Sequence, residues 1–484
     1  NTFNTAVGSA AGAAITTGVN NVLIGGLAGD ALTDADFNVA IGTQALTTDT
    51  LGSRSVAIGQ HALQVQNFTT ATNTFNVAVG YDAGVAVTTG IQNTLIGGLA
   101  GDALTASGFN VAVGVNALTT DTLGNQSTAL GYQALGAQNF TTATETRNVG
   151  VGYLAGAAIT TGVKNTLVGS SAGLAITDAD NNVAMGTQAL TANVLGSSSV
   201  AIGTGALANQ NPSTASSMLN VAVGQDAGVS VTTGQQNTLI GALAGDALTS
   251  GSFSVAVGYA ALGAEDSRGR STALGYSALL VQNAGADSNN TAVGFESGKA
   301  ISTGVQNTLV GADSSTSAAG ANNEIVLGFG ATGSGNITAT LGINATDTFI
   351  ALGGTTWSGS SDERLKENIT SSTAGLSFIN DLRPVTFDWK SIGSIPKELR
   401  GYEEGSDEKY NQNDKTNHGF IAQEVKTVLD NHPEIKNGHG IWQEKTDGTQ
   451  ALAPSALVPM LVKAIQEQSA LITALTARIT TLEG

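Results

Sequence analysis

A five-residue signature, Asn then Val or Thr, Ala or Leu, an aliphatic residue and Gly, returns along this chain every 17 residues. After each fourth return the interval widens to 21, so the whole pattern repeats every 72. No ordinary globular domain carries such a double period. It belongs to a stacked repeat, in which each unit buries its apolar face only against its neighbours. The 18 copies begin at Asn4, Asn21, Asn38, Ser55, Asn76, Asn93, Asn110, Ser127, Asn148, Asn165, Asn182, Ser199, Asn220, Asn237, Ser254, Ser271, Asn290 and Asn307. The interval before Asn290 is 19, and a degenerate copy follows at residues 324–328.

Within a copy the second residue is Val or Thr, the fourth is Val, Ile, Leu or Met, and the fifth is always Gly, from Gly8 and Gly25 to Gly311. β-branched residues at alternate positions that stop at Gly describe a short strand followed by a turn. The residue between them is usually Ala, but it is Leu in the second copy of each block: Leu23, Leu95, Leu167, Leu239 and Leu309. With the Thr-Gly turn that follows, each copy reads as one coil of two short strands and two turns. Coils stacked about 4.8 Å apart make a rod of roughly 90 Å. The leading Asn residues are expected to form a ladder, each side-chain amide bonding the next, with Ser taking over in the fourth coil. One coil offers only a few small apolar side chains. A single chain is therefore expected to bury little and to associate side by side as an obligate homotrimer.

Aromatic residues are 5% and charged residues 12% of the 484, both low for packed globular domains. Cysteine is absent, which removes disulfides and thiolate metal sites, and no cofactor is expected. No apolar run is long enough to span a bilayer, so no membrane insertion is expected. The chain opens at Asn1 without an initiator Met or a signal peptide, as a fragment or a mature form would. The net charge is −18, and residues 1–360 hold six basic against 19 acidic side chains. An excess of this sign argues against nucleic acid or an anionic membrane as partner.

Composition shifts near Asp313. Residues 313–360 are rich in Gly, Ser, Thr and Ala, with strand-like pieces at 324–327, 337–341 and 348–352, and read as a connector after a shaft of residues 1–312. Trp357, Trp389, Trp442 and most of the six prolines lie at its end or beyond, so a conventional domain is expected over residues 361–484. Its segments are SDERLKENI at 361–369, LRPVTFDWK at 382–390, HGFIAQEV at 418–425 and LVPMLVKAIQE at 457–467. In this order they resemble the C-terminal intramolecular chaperone of phage tail fibres and tailspikes, the self-cleaving peptidase S74 family. Separately, the SVAIG copies at Ser55 and Ser199 resemble the β-roll heads of trimeric autotransporter adhesins.

The first resemblance implies autoproteolysis by a Ser/Lys pair, just before the serine that opens the motif. Carried onto this chain, the nucleophile is Ser361, the base is Lys366, and the scissile bond joins Ser360 to Ser361. An unaided hydroxyl is a weak nucleophile, and a Lys whose proton affinity is lowered by partial burial can take its proton. The same residues also read as a capping box, with Ser at the N-cap and Glu363 at the third helical position, opening a helix through Leu365 and Ile369. Further on, Leu461, Ile465, Gln468, Ile472, Leu475, Ile479 and Leu482 alternate spacings of four and three, the seam of a coiled coil over residues 457–484. Such a clamp sets the register of long chains before the coils zip, since a slip by one coil buries almost the same residues. Its release by cleavage would leave the shaft kinetically stable.

The shaft does not read as an enzyme. Asp30, Asp102 and Asp246 share one coil position, and copies four coils apart lie about 19 Å apart, too far for paired carboxylate chemistry. The pairs Asp34/Asp36 and Asp178/Asp180 lack the further ligands of a Ca²⁺ loop and read as turn residues. His61, His418, His432 and His439 are too scattered to suggest a site. The four extra residues of each fourth coil fall near 66–72 and 138–144 and are expected to project as contact loops, with Phe68 and Phe140 as candidate binding residues. The reading is mainly β: a trimeric β-solenoid or β-roll fibre, then a small α+β domain ending in a coiled coil. Its expected role is a phage tail fibre or related appendage on the virion, contacting a cell-surface receptor or glycan and other virion proteins. A bacterial surface adhesin with the same assembly domain and a glycan-degrading tailspike are the alternatives.

Overall fold

The computed structural model describes residues 2–344, 346–399, 401–411, 415–435 and 440–484. The chain divides into two compact units, Asn1–Ser360 and Ser361–Gly484.

The first unit is a β-solenoid. Each repeat places one three-residue strand on the strand of the next: Thr5–Val7 pairs in parallel with Val22–Ile24, that strand with Val39–Ile41, and so on in unbroken register. The stack continues past residue 313, where Ile325–Leu327 and Thr338–Leu341 pair in the same direction. Two antiparallel strands, Thr348–Ala351 and Ser358–Gly359, close the 22-stranded sheet. Among the described residues, the second strand expected in each coil is found only beside the fourth coils of the first three blocks, as Gly52–Ser53 with Thr72–Asn73, Gly124–Asn125 with Thr144–Glu145, and Gly196–Ser197 with Ser216–Ser217. Elsewhere the Thr-Gly segments stay in turns and bond from coil to coil, as Thr16 N–H does to the Thr33 carbonyl at 3.0 Å.

The strand pattern follows from side-chain alternation. The middle residue points inward and is fully buried, whether Ala40, Ala57 and Ala78 or Leu23 and Leu95. A larger strand residue is matched by a missing side chain in the turns that face it. A Cβ on Gly12 or Gly29 would stand 2.7 or 2.8 Å from Leu23, and one on Gly84 or Gly101 would stand 2.6 or 2.7 Å from Leu95. Where the strand carries Ala, the facing turn carries a buried Leu such as Leu46 or Leu63. This exchange of large for small keeps the packing dense. It also gives one chain a continuous core from Leu23 to Ala331, so a single chain fills its own interior, against the expectation that it buries little. The Gly that ends each strand has no substitute. Gly42 sits at φ +135°, and a Cβ there would lie 2.4 Å from the Gly59 carbonyl oxygen of the next coil.

The Asn ladder exists, but its main bonds run from side chain to backbone; amide-to-amide bonds join Asn21 to Asn4 at 3.3 Å and Asn165 to Asn148 at 3.4 Å. Asn21 Oδ1 accepts the backbone N–H of Asn38 at 2.9 Å, and its Nδ2 donates to the Ala35 carbonyl at 2.8 Å. Asn38 repeats the arrangement with Ser55 N–H and the Gly52 carbonyl. Each side chain thus satisfies the start of one coil and the end of another, although from Asn21 onward they are all buried.

Ser in the fourth coil is too short for both tasks, and the four extra residues supply the remedy. They let Gln66 turn inward, fully buried: its Nε2 donates to Ser55 Oγ at 2.9 Å and to Asp49 Oδ2 at 2.5 Å, and its Oε1 accepts from Asn76 Nδ2 at 2.8 Å. Asp49 Oδ1 holds the loop itself, accepting from the Gly52 and Phe68 backbones at 3.0 Å each. Gln138 and Asp121 reproduce the set one block later.

The second unit starts with a single 3-10 turn, Glu363–Leu365, and then builds α1 (Leu376–Asp381), α2 (Ala422–Asp430) and α3 (Val458–Glu483) with two short antiparallel pairs, Val385–Phe387 with Asn417–Gly419 and Trp442–Glu444 with Gln450–Leu452. Phe378, Leu382, Val425, Leu429, Ile441 and Leu457 form its core. Glu467 on α3 caps α1 by accepting the Leu376 N–H at 2.8 Å. Beyond that contact α3 leaves Leu461, Ile465, Ile472, Leu475, Ile479 and Leu482 exposed.

Candidate active site

Ser361 and Lys366 are five residues apart and meet because the chain between them turns. Asp362 caps the 3-10 segment, Leu365 N–H bonds the Asp362 carbonyl at 3.1 Å, and Lys366 N–H bonds the Glu363 carbonyl at 3.0 Å. The turn brings Lys366 Nζ to donate to Ser361 Oγ at 2.7 Å. The capping-box alternative differs in detail: the cap is Asp362 rather than a serine, and no helix runs to Ile369. The reason is local, since the Asp362 carboxylate already satisfies the Arg364 N–H at 2.9 Å, and the backbone becomes extended at Lys366.

Arg364 also grips that carboxylate through its side chain, with Nε 3.0 Å from Oδ1 and Nη2 2.6 Å from Oδ2. These bonds, and then the nearby Lys366 charge, hold the Asp362 carboxyl below the usual aspartate range. Ser360 follows directly on the strand Ser358–Gly359, and the division between the two units falls between Ser360 and Ser361. Every residue from 360 to 373 is exposed.

A serine and a lysine so placed can cleave the bond that precedes the serine. Ser361 Oγ adds to the Ser360 carbonyl carbon while the lysine takes the hydroxyl proton. The C–N bond breaks, the proton passes to the freed amine, and an ester remains that water hydrolyses.

The other sequence candidates fare differently. Phe68 and Phe140 are 7% exposed, so neither is offered to a ligand; the exposed part of each insertion is Asn67, Thr69, Thr70 and Ala71 and their counterparts at 139 and 141–143. Phe68 turns inward because Asp49 and Gln66 pull the loop against the stack. Asp36 and Asp180 accept the backbone N–H of Val19 and Val163 at 2.7 Å, and Asp102 accepts from Thr119, so these carboxylates serve contacts between coils. His61 bonds Asp82 at 2.8 Å. Among the described residues no group of three or more His, Cys, Asp or Glu could hold a metal ion.

The largest omission of the sequence reading is His432. Its ring is buried edge-on to Phe378, with Nε2 2.8 Å from Asp381 and Nδ1 2.6 Å from Glu434. Only an imidazolium can donate from both nitrogens, and the two carboxylates raise its proton affinity accordingly. Asp381 lies 51 residues away, so no local pattern signals the pairing. His439 lies outside the described residues. No helix among the described residues is long and apolar enough to cross a membrane.

Residues 361–432 match the model of the family Peptidase_S74, chaperone of endosialidase. No curated protein and no solved structure matches the chain.

Proposed function

From that match we propose that this chain is the subunit of a homotrimeric fibre, a phage tail fibre or related virion appendage for host attachment. Its second unit directs assembly and then detaches by self-cleavage between Ser360 and Ser361. The observation that carries the reading is an apolar face left open along the whole shaft. The strand residues that flank each buried Ala or Leu point outward; Ile24, Ile96, Leu130, Met185, Ile240 and Leu274 are 37% to 44% exposed, and the aliphatic residue at the same position in the coils between them is partly exposed. A continuous apolar face of this length calls for a cover, and a second and third copy in register present the complementary surface. The exposed seam of α3 supports the same conclusion independently.

Self-cleavage fits assembly in order. A lysine acts as a base when burial lowers its hold on the proton, and both Ser361 and Lys366 are exposed in the single chain. Closure of three chains around this segment supplies the burial, so cutting follows assembly.

Sedimentation and denaturing mass spectrometry on the freshly expressed chain and on Ser361→Ala test this. The expected result is a trimer in both, with a shaft fragment ending at Ser360 in the wild type alone. A monomeric chain overturns the fibre reading. A trimer that stays whole makes the second unit a permanent clamp.

A further inference from the structure

Five residues of extended chain span roughly 17 Å, yet the polar ends of Ser361 and Lys366 are 2.7 Å apart. The single turn that closes this distance is too short to persist on its own. Residues 360–373 are exposed throughout, so no core holds it in place. What remains is local bonding, and it converges on one carboxylate. Asp362 accepts the Arg364 N–H through its side chain, supplies its own carbonyl to Leu365, and has both carboxylate oxygens held by the Arg364 guanidinium. The geometry points to Asp362, clamped by Arg364, as the positioning residue that keeps Ser361 against Lys366 for the self-cleavage proposed above, a role that rests on that reading.

The carboxylate acts in two ways. As a cap it preserves the turn. As a charge it holds the Arg364 guanidinium, and that bond, with the nearby Lys366 charge, keeps its carboxyl below the usual aspartate range. The other charged groups of this exposed stretch, Glu363, Arg364 and Glu367, are common to every variant and leave the comparison intact.

Substitution separates the two effects, because Asn caps about as well as Asp but carries no charge, whereas Ala does neither. The experiment follows release of the shaft fragment from the full chain by denaturing mass spectrometry across a pH series, for wild type, Asp362→Asn and Asp362→Ala. Asp362→Ala is expected to cleave more slowly at every pH, by about fivefold, the factor equivalent to a cap of ~1 kcal/mol. Asp362→Asn keeps the cap but loses the ion pair with Arg364, and is expected to cleave at a rate between those of the wild type and Asp362→Ala. Melting temperature and oligomeric state, measured alongside, are expected to match the wild type for both variants. Wild-type rates and profile in Asp362→Ala overturn the assignment while leaving self-cleavage intact. Equal loss in both variants keeps the assignment and places its force in the Arg364 clamp, not in the cap. A wild type that never cleaves overturns this role together with the reading on which it rests.

Discussion

Gln66 performs, from a loop, the task that Asn performs from the strand elsewhere, and the third block shows what happens when its partner changes. Asn193 stands where Asp49 and Asp121 stand; its Nδ2 donates to the Gly196 carbonyl at 2.6 Å, and Gln210 Nε2 is left buried without an acceptor. Converting Asp49 to Asn is expected to leave Gln66 Nε2 in the same position and to lower shaft stability by about 1–3 kcal/mol, read as a shift in a denaturant midpoint. The buried carboxyls also set a pH dependence. Burial pushes Asp49, Asp121 and Glu265 above their ordinary values, 3.8 for the aspartates. A carboxyl with a raised folded pKa binds its proton more tightly when folded. Its stabilising contribution is therefore full below the ordinary value and is lost as pH rises through the folded one. Replacing all three by their amides is expected to flatten the rise in melting temperature on mild acidification; an unchanged slope would assign that rise to other groups.

At the scale of elements, the strand-ending glycines and the clamped histidine are the most exacting positions. Gly42→Ala forces a Cβ into the Gly59 carbonyl, and the expected outcome is local opening of adjacent coils, seen as lost amide-exchange protection around Val39–Ile41 and Val56–Ile58. In the second unit His432 ties the end of α1 to the segment after α2. Its folded pKa is raised above 6.5, so its contribution is present below 6.5 and lost as pH rises through the folded value. Trp389 and Trp442 fluorescence during thermal melts should show this unit weakening over that range, and His432→Gln should remove the dependence. The strand and its Gly were legible in the sequence because period-two alternation and Gly after a β-branched run are local signals. The rest of the coil was not, since a Thr-Gly turn bonded from coil to coil carries no pattern that separates it from a strand. Gln66 and Phe68 were unreadable for a related reason: a polar loop with one aromatic looks projecting until the buried Asp49 that draws it inward is placed. Of the candidate site, Ser361 and Lys366 were named from the motif, whereas Asp362 and Arg364 emerge only from the geometry of the turn.

For the whole molecule, the expected order of events is assembly, zipping and release. Ile472→Asp with Ile479→Asp places charges in the open seam of α3, where both residues are exposed in the single chain and their replacement disturbs no core. Sedimentation of the double variant is expected to show loss of the trimer, and mass spectrometry to show loss of the fragment ending at Ser360. A monomer that still cleaves would detach self-cleavage from assembly. The seam was readable from its heptad spacing, but that both it and the shaft column stay open in one chain needed the packed coils to be seen.

The inward-turned glutamine has one more consequence, and it concerns inheritance. Every fourth coil carries its own inward-turned glutamine, so a cut made at any coil and rejoined at the same coil of another block restores the same kind of junction. Loss or gain of 17 residues would bring Ser against the wrong neighbour; loss or gain of 72 would not. Unequal recombination can thus resize such a shaft only in increments of four coils, about 19 Å at a step. Lengths among its descendants would then form a discrete series.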